Sequence, residues 1–196
     1  LYIEEREAPV QVFPDMSMSM DYGSPNKFAA ALRLAAAISY VSLLSYDSVY
    51  INPWNEKVQG IYGPFRTQSS YMKVDNSLSG LMASGKSNFS DALRSMEWKA
   101  GRGISVVITD GLLRDGLEEG LKYLKYKNQD VFLCMLLSPE ELSPALNGAI
   151  ELVDSETGET VEVTVSNALL KKYEESLKQH MAKLQEQCRK WGIHFA

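Results

Sequence analysis

Short apolar runs alternate along the chain with longer segments whose apolar residues recur every three or four positions. Ala8 to Phe13 reads as a short buried strand that stops at Pro14 and Asp15. Ser24-Pro25 then offers an N-cap and a first-turn proline for a helix over Asn26 to Ser45, apolar almost all round. Val49 to Pro53 and Val58 to Phe65 predict two further strands, joined by the turn-like "PWNEK". Ser69 to Leu81 is helical in pattern, with Tyr71, Met72, Leu78 and Leu81 on its apolar side, and Phe89 to Trp98 predicts a shorter helix.

"ISVVITD", Ile104 to Asp110, is the clearest strand: β-branched, apolar and bounded by Gly103 and Gly111. Gly116 to Lys127 is an amphipathic helix, and Asp130 to Leu137 another buried strand. "GAIELVDSETGETVEVTV" alternates about Glu156-Thr157-Gly158 and predicts a β-hairpin. In the helix Ser166 to Trp191 a stripe of Leu169, Tyr173, Leu177, Met181, Leu184, Cys188 and Trp191 could pair as a coiled coil or pack on a sheet, and we expect packing. The closing "IHFA" reads as the start of a final strand.

Strands alternating with helices, several of the strands apolar throughout, predict an α/β fold. The expected form is a Rossmann-like, doubly wound, mostly parallel sheet covered on both faces. In such sheets ligands bind beyond the carboxyl ends of the strands, where the strand order reverses. Asp15 and Asp110 both close predicted central strands.

Size and charge narrow the function classes. The 196 residues suffice for one domain, and we expect a single one over 1–196. With 45% apolar and 23% charged residues, the balance is that of a soluble globular chain. A net charge of −5 without a basic patch argues against a nucleic-acid partner. Two cysteines far apart, Cys134 and Cys188, carry no metal-knuckle spacing and fit a reducing, cytoplasmic setting. The apolar segment Phe28 to Leu44 carries Arg33 near its middle and reads as a buried helix, not a membrane span. The chain starts at Leu1, not Met, and we expect it to be part of a longer protein. The runs "EERE" (Glu4 to Glu7) and "KKYEE" (Lys171 to Glu175) read as solvated faces.

The chemistry lies in "DMSMSM", Asp15 to Met20. In an extended or loop conformation, side chains two apart point the same way, so Asp15, Ser17 and Ser19 can converge on one point. Hydroxyls with one or two carboxylates suit a hard cation that keeps some of its waters, Mg²⁺ above all, with Mn²⁺ or Ca²⁺ as variants. Local turn bonding from Asp and Ser is the competing explanation. Asp110, and Ser87 between a Gly-containing loop and a helix start, add two more candidate ligands.

"DMSMSM" resembles the Asp-x-Ser-x-Ser signature of von Willebrand factor A domains, whose metal ion-dependent adhesion site binds a divalent cation. That family adds a Thr from a second loop and an Asp from a third; Ser87 in "GKSNF" and Asp110 in "VITDG" match those positions. Ser for Thr keeps the hydroxyl and loses the stiffening methyl. A wider resemblance, through "YIEEREAPV", "KFAAALRLAAAISYVSLLSYDSVYI", "VITDGLL" and "KYEESLKQHMAKLQEQCRKWGIHF", is to the bacterial domain-of-unknown-function family 58. It implies a von Willebrand A-like module on the cytoplasmic side of a membrane, anchored by segments upstream of Leu1. It also implies work beside a MoxR-type AAA+ ATPase in assembling or activating another complex.

On this reading the metal keeps an exchangeable position that a partner's Glu or Asp can fill. Met16, Met18, Met20, Leu112 and Leu113 then either form an adaptable contact rim around the ion or pack beneath the loop. Two other functions remain open. Asp15 beside Mg²⁺ could support phosphatase or phosphotransferase chemistry, although Ser17 stands where a second acid is usual and Lys27 and Lys86 read as common surface lysines. A metal-free scaffold could instead bind through its C-terminal helix or hairpin.

Overall fold

The computed structural model describes residues 8–98, 101–113, 116–155 and 158–196. The strands are β1 (Pro9–Pro14), β2 (Ser48–Ile51), β3 (Tyr62–Phe65), β4 (Gly103–Thr109), β5 (Gln129–Met135), β6 (Gly148–Val153), β7 (Thr160–Val165) and β8 (His194–Phe195). The helices are α1 (Lys27–Leu44), α2 (Tyr71–Ser79), α3 (Phe89–Ser95), α4 (Leu117–Tyr126), α5 (Pro139–Leu142) and α6 (Asn167–Lys190).

Six strands form one sheet in the order β3-β2-β1-β4-β5-β8, and β6 and β7 pair separately as the expected hairpin. All pairings in the main sheet are parallel except β2 with β3 at the edge. The chain steps outward from β1 to β2 on one side and returns to lay β4 against the other. The order therefore reverses between β1 and β4, where a doubly wound sheet opens a crevice.

Two apolar clusters cover the two faces. α1 and α2 cover one with Phe28, Ala31, Ala35, Leu43, Val74 and Leu78, against Val10, Val12, Val106 and Ile108. Phe89, Leu93, Leu121, Leu124, Leu184 and Cys188 from α3, α4 and α6 cover the other, against Phe13, Val107, Val131 and Leu133. Neighbouring residues of β4 and β5 thus serve opposite faces, which is why these strands are apolar without alternation. α1 is long and apolar enough by composition to cross a bilayer, with mean hydropathy 1.5. It buries one stripe, Phe28, Ala31, Ala35, Ser39 and Leu43, on the sheet.

Local expectations needed adjustment at several ends. The cap of α1 is Asn26, whose side chain accepts the Ala29 N–H, and not Ser24. The strand expected over Val58 to Phe65 is confined to Tyr62–Phe65; Val58 makes only an isolated bridge to Trp54. α3 ends at Ser95, short of Trp98. In α2, Val74 and Leu78 face the core while Met72 is exposed, so Met72 does not belong to the apolar side. The α6 stripe packs at Leu177, Leu184 and Cys188, whereas Leu169 and Tyr173 stay partly exposed toward its start. The hairpin's turn residues Glu156 and Thr157, and the "EERE" run, lie outside the described residues.

Candidate functional site

β1 and β4 end side by side, and their last residues deliver Asp15 and Asp110 to the crevice. The Asp15 N–H donates to the Ile108 carbonyl at 2.9 Å, which locks the two strand ends in register. Trp54 clamps the other side: its N–H donates to Pro14 O and its carbonyl accepts the Met16 N–H at 2.7 Å. Asp15 is fully buried. Its Oδ1 accepts the Ser17 N–H at 2.8 Å and its Oδ2 accepts the Thr109 hydroxyl at 2.7 Å. Burial nevertheless outweighs these dipoles, and with the nearby charge of Asp110 it pushes the Asp15 carboxyl up to about 7. Among the described residues, none of the bonds to Asp15 comes from a cation.

Asp110 has one. Its Oδ2 lies 2.9 Å from the Lys27 ammonium, which also holds Glu141 Oε1 at 2.6 Å, and its Oδ1 accepts the Leu112 N–H at 3.0 Å. Lys27 is as buried as Asp110. Burial works to lower the Lys27 pKa, but Asp110 and Glu141 together raise it, so the ammonium stays charged. The expectation of Lys27 as an ordinary surface lysine is thus corrected.

The hydroxyls gather beside the carboxylates. Ser17 and Ser19 Oγ atoms lie 3.0 Å apart, in the loop that leaves β1. The loop carrying Ser87 is tied to the same place by two backbone bonds, Met18 N–H to Gly85 O at 3.0 Å and Ser84 N–H to Met16 O at 2.6 Å. Asn88 caps α3 through the Asp91 N–H, leaving Ser87 as the last residue before the cap.

The rim needs division. Met16 and Met20 are buried in the cluster under α1 and are not surface contacts; these two large apolar residues, on either side of the serine pair, anchor the loop from below. Leu113 is half-buried against the opposite cluster. Met18 and Leu112 open instead on a cleft of about 530 Å³ that also meets Ser19 and Asp110. Its walls are apolar: Ile150, Leu152, Val163 and Val165 of the hairpin face Leu169, Leu170 and Tyr173 of α6. Ile150 pairs across the hairpin with Val163 and Leu152 with Val161, so one hairpin face is apolar while the Glu151–Glu162 pair marks the other.

Among the described residues, no three His, Cys, Asp or Glu side chains converge as metal ligands. The donor set is of a different kind, two buried carboxylates and neighbouring hydroxyls, which is the chemistry a hard divalent ion takes. Asp15, a fully buried carboxylate whose bonding partners among the described residues are dipoles, fits such an ion.

The family model described as "Protein of unknown function DUF58" matches residues 1–183, nearly the whole chain. The chain belongs to the DUF58 family. No curated protein is significantly similar to it. Among solved structures, this DUF58 chain is similar to the conserved hypothetical protein BatB from Bacteroides thetaiotaomicron. The TM-score is 0.54 at 18% identity, over 94% of this chain and 98% of that one. An aerotolerance-related membrane protein from Bacteroides fragilis gives TM-score 0.53 at 18% identity, over 93% and 99%. The SpRpn10 VWA domain matches at TM-score 0.49 and 17% identity, over 68% of this chain and 78% of that domain. The DUF58 chain shares the α/β fold of the two Bacteroides proteins, and identities this low speak to fold alone.

Three participants escaped the sequence reading of this DUF58 domain. Thr109 bonds Asp15 from the position before Asp110, and nothing in "VITDG" marks it. Glu141 stands in a capping box with Ser138, which the Ser-x-x-Glu spacing does advertise. Lys27 opens a helix, at the positive end of its dipole where a cation is disfavoured; that misfit is the signal of a buried acidic partner.

Proposed function

We propose that this domain is a divalent-cation-dependent protein-interaction module. Asp15 and Asp110, with the hydroxyls of Ser17, Ser19 and Ser87, hold Mg²⁺ or Mn²⁺, and a carboxylate from a partner protein fills the remaining position. The observation that carries this reading is Asp15: a carboxyl pushed up to about 7, fully buried, aimed from a central strand end and, among the described residues, without a cation bonded to it. Two carboxylates balance a divalent ion and leave it room for one more anionic ligand. The cleft beside Met18 and Leu112 would then take apolar residues that flank the partner's acid. The family resemblance supports a MoxR-type ATPase as the class of partner and a place on the cytoplasmic side of a membrane.

Binding is favoured over phosphoryl transfer by Lys27. The lysine that such chemistry would place on a phosphate is committed to Asp110 and Glu141. Thermal unfolding in EDTA and in Mg²⁺ tests the metal. At about 100 times its dissociation constant the ion adds about 2.7 kcal/mol. In a domain of this size that raises Tm by roughly 5–10 °C. Asp110→Asn should erase the increment; an equal shift in both proteins would rule out this site.

A further inference from the structure

The ion pair at the head of α1 is not accounted for by the fold alone. Lys27 sits where the helix dipole disfavours a cation, yet it is almost wholly buried and spans two carboxylates from different elements. A buried ammonium needs such pairing. Asp110 is one of the proposed metal ligands, and Lys27 already occupies its Oδ2 at 2.9 Å. A divalent ion on the same oxygen would stand within a few ångströms of the ammonium in a poorly screened place, where like charges repel strongly. The second partner offers a way out. Glu141 is held in position by the α5 capping box, its Oε2 accepting the Ser138 N–H at 2.8 Å, while its Oε1 faces Lys27.

We propose that Lys27 is a resident counter-ion of Asp110 that a divalent cation displaces onto Glu141, so that Lys27 weakens metal binding and Glu141 strengthens it. The inference rests on the reading of Asp110 as a metal ligand. It makes the ion and the ammonium alternatives at one oxygen. It also couples the metal to the cleft, because the Tyr173 hydroxyl of α6 donates to the Glu141 carbonyl at 2.9 Å and Glu141 lines the cleft floor.

Titration calorimetry with Mn²⁺, and again with Mg²⁺, on the wild type, Lys27→Met and Glu141→Gln tests it. Lys27→Met should bind the ion about tenfold more tightly or better, the lower end of what one adjacent charge does to a neighbouring group. Glu141→Gln, whose glutamine still suits the capping box, should bind about threefold more weakly, as befits a partly screened contact. Opposite signs from two residues in one ion-pair cluster are the signature, since a merely structural role would weaken both. Should Lys27→Met fail to fold, Glu141→Gln decides alone, and unchanged or tighter binding there overturns the proposal. Binding by the wild type that is unaltered in Lys27→Met overturns this inference and leaves the metal site standing. No binding by any of the three folded proteins overturns both.

Discussion

Asp15→Asn is expected to stabilise the metal-free domain at pH 8 by about 3 kcal/mol while abolishing its response to divalent ions. The gain comes from removing a charge that the fold holds at a loss. In the unfolded chain the Asp15 carboxyl titrates near 3.8, and in the folded chain near about 7. Between those values the folded protein keeps a proton that the unfolded one has released, so raising the pH through this window weakens the fold. At about 1.4 kcal/mol for each pH unit crossed, the full cost above pH 7 is on the order of 4 kcal/mol.

Asparagine returns most of that. Its oxygen can accept the Ser17 N–H as Oδ1 does, but its amide meets the Thr109 hydroxyl as a donor and forfeits about 1 kcal/mol there. Unfolding in EDTA at pH 5 and pH 8 measures the effect. The wild type should lose about 2–3 kcal/mol between the two through this group, and Asp15→Asn none of it. A variant less stable than the wild type at pH 8 would show that the ionised carboxylate is already well compensated. The case for Asp15 as a ligand awaiting a cation would then collapse.

The same residue shows what was legible in the sequence. Strand ends can be read from apolar runs that stop, so Asp15 and Asp110 could be placed at the crevice before any coordinates. Alternation around the serines was equally plain, because two-residue periodicity fixes which side chains share a side. What alternation does not give is depth. Met16 and Met20 look like Met18 in the sequence, yet they sink into the core under α1 while Met18 opens on the cleft; the loop turns through a short 3₁₀ segment at Met18–Met20 that strict alternation cannot anticipate. Long-range ion pairs are hidden for a different reason. Lys27 and Asp110 are 83 positions apart, and only the sheet order brings α1 and the end of β4 together. The cleft likewise depends on where the hairpin docks, which its own alternation does not specify.

The second large effect should come from beneath the site. Trp54→Ala is expected to cost about 3–5 kcal/mol, the usual range for deleting a buried large aromatic. Trp54 is fully buried, its ring centroid stands 4.6 Å from that of Phe89, and its indole N–H donates to Phe13 O at 3.1 Å. Its backbone brackets Asp15 through Pro14 O and the Met16 N–H, and Asp15 itself forms a bridge with Trp54. A cavity under this residue therefore loosens the strand end that aims the carboxylate, and positional error of that kind reduces metal affinity as well as stability. Leu93→Ala is the comparison. Leu93 belongs to the same cluster and is as deeply buried, but it sits on α3 away from the Asp15 backbone. It should cost about 2–5 kcal/mol and leave the Mg²⁺ increment intact. Denaturant unfolding of both variants with and without Mg²⁺ separates the two effects. If Trp54→Ala keeps the full Mg²⁺ increment, the clamp on β1 is a packing feature only, and the precision of the site must come from the Ile108 and Thr109 bonds across β4 instead.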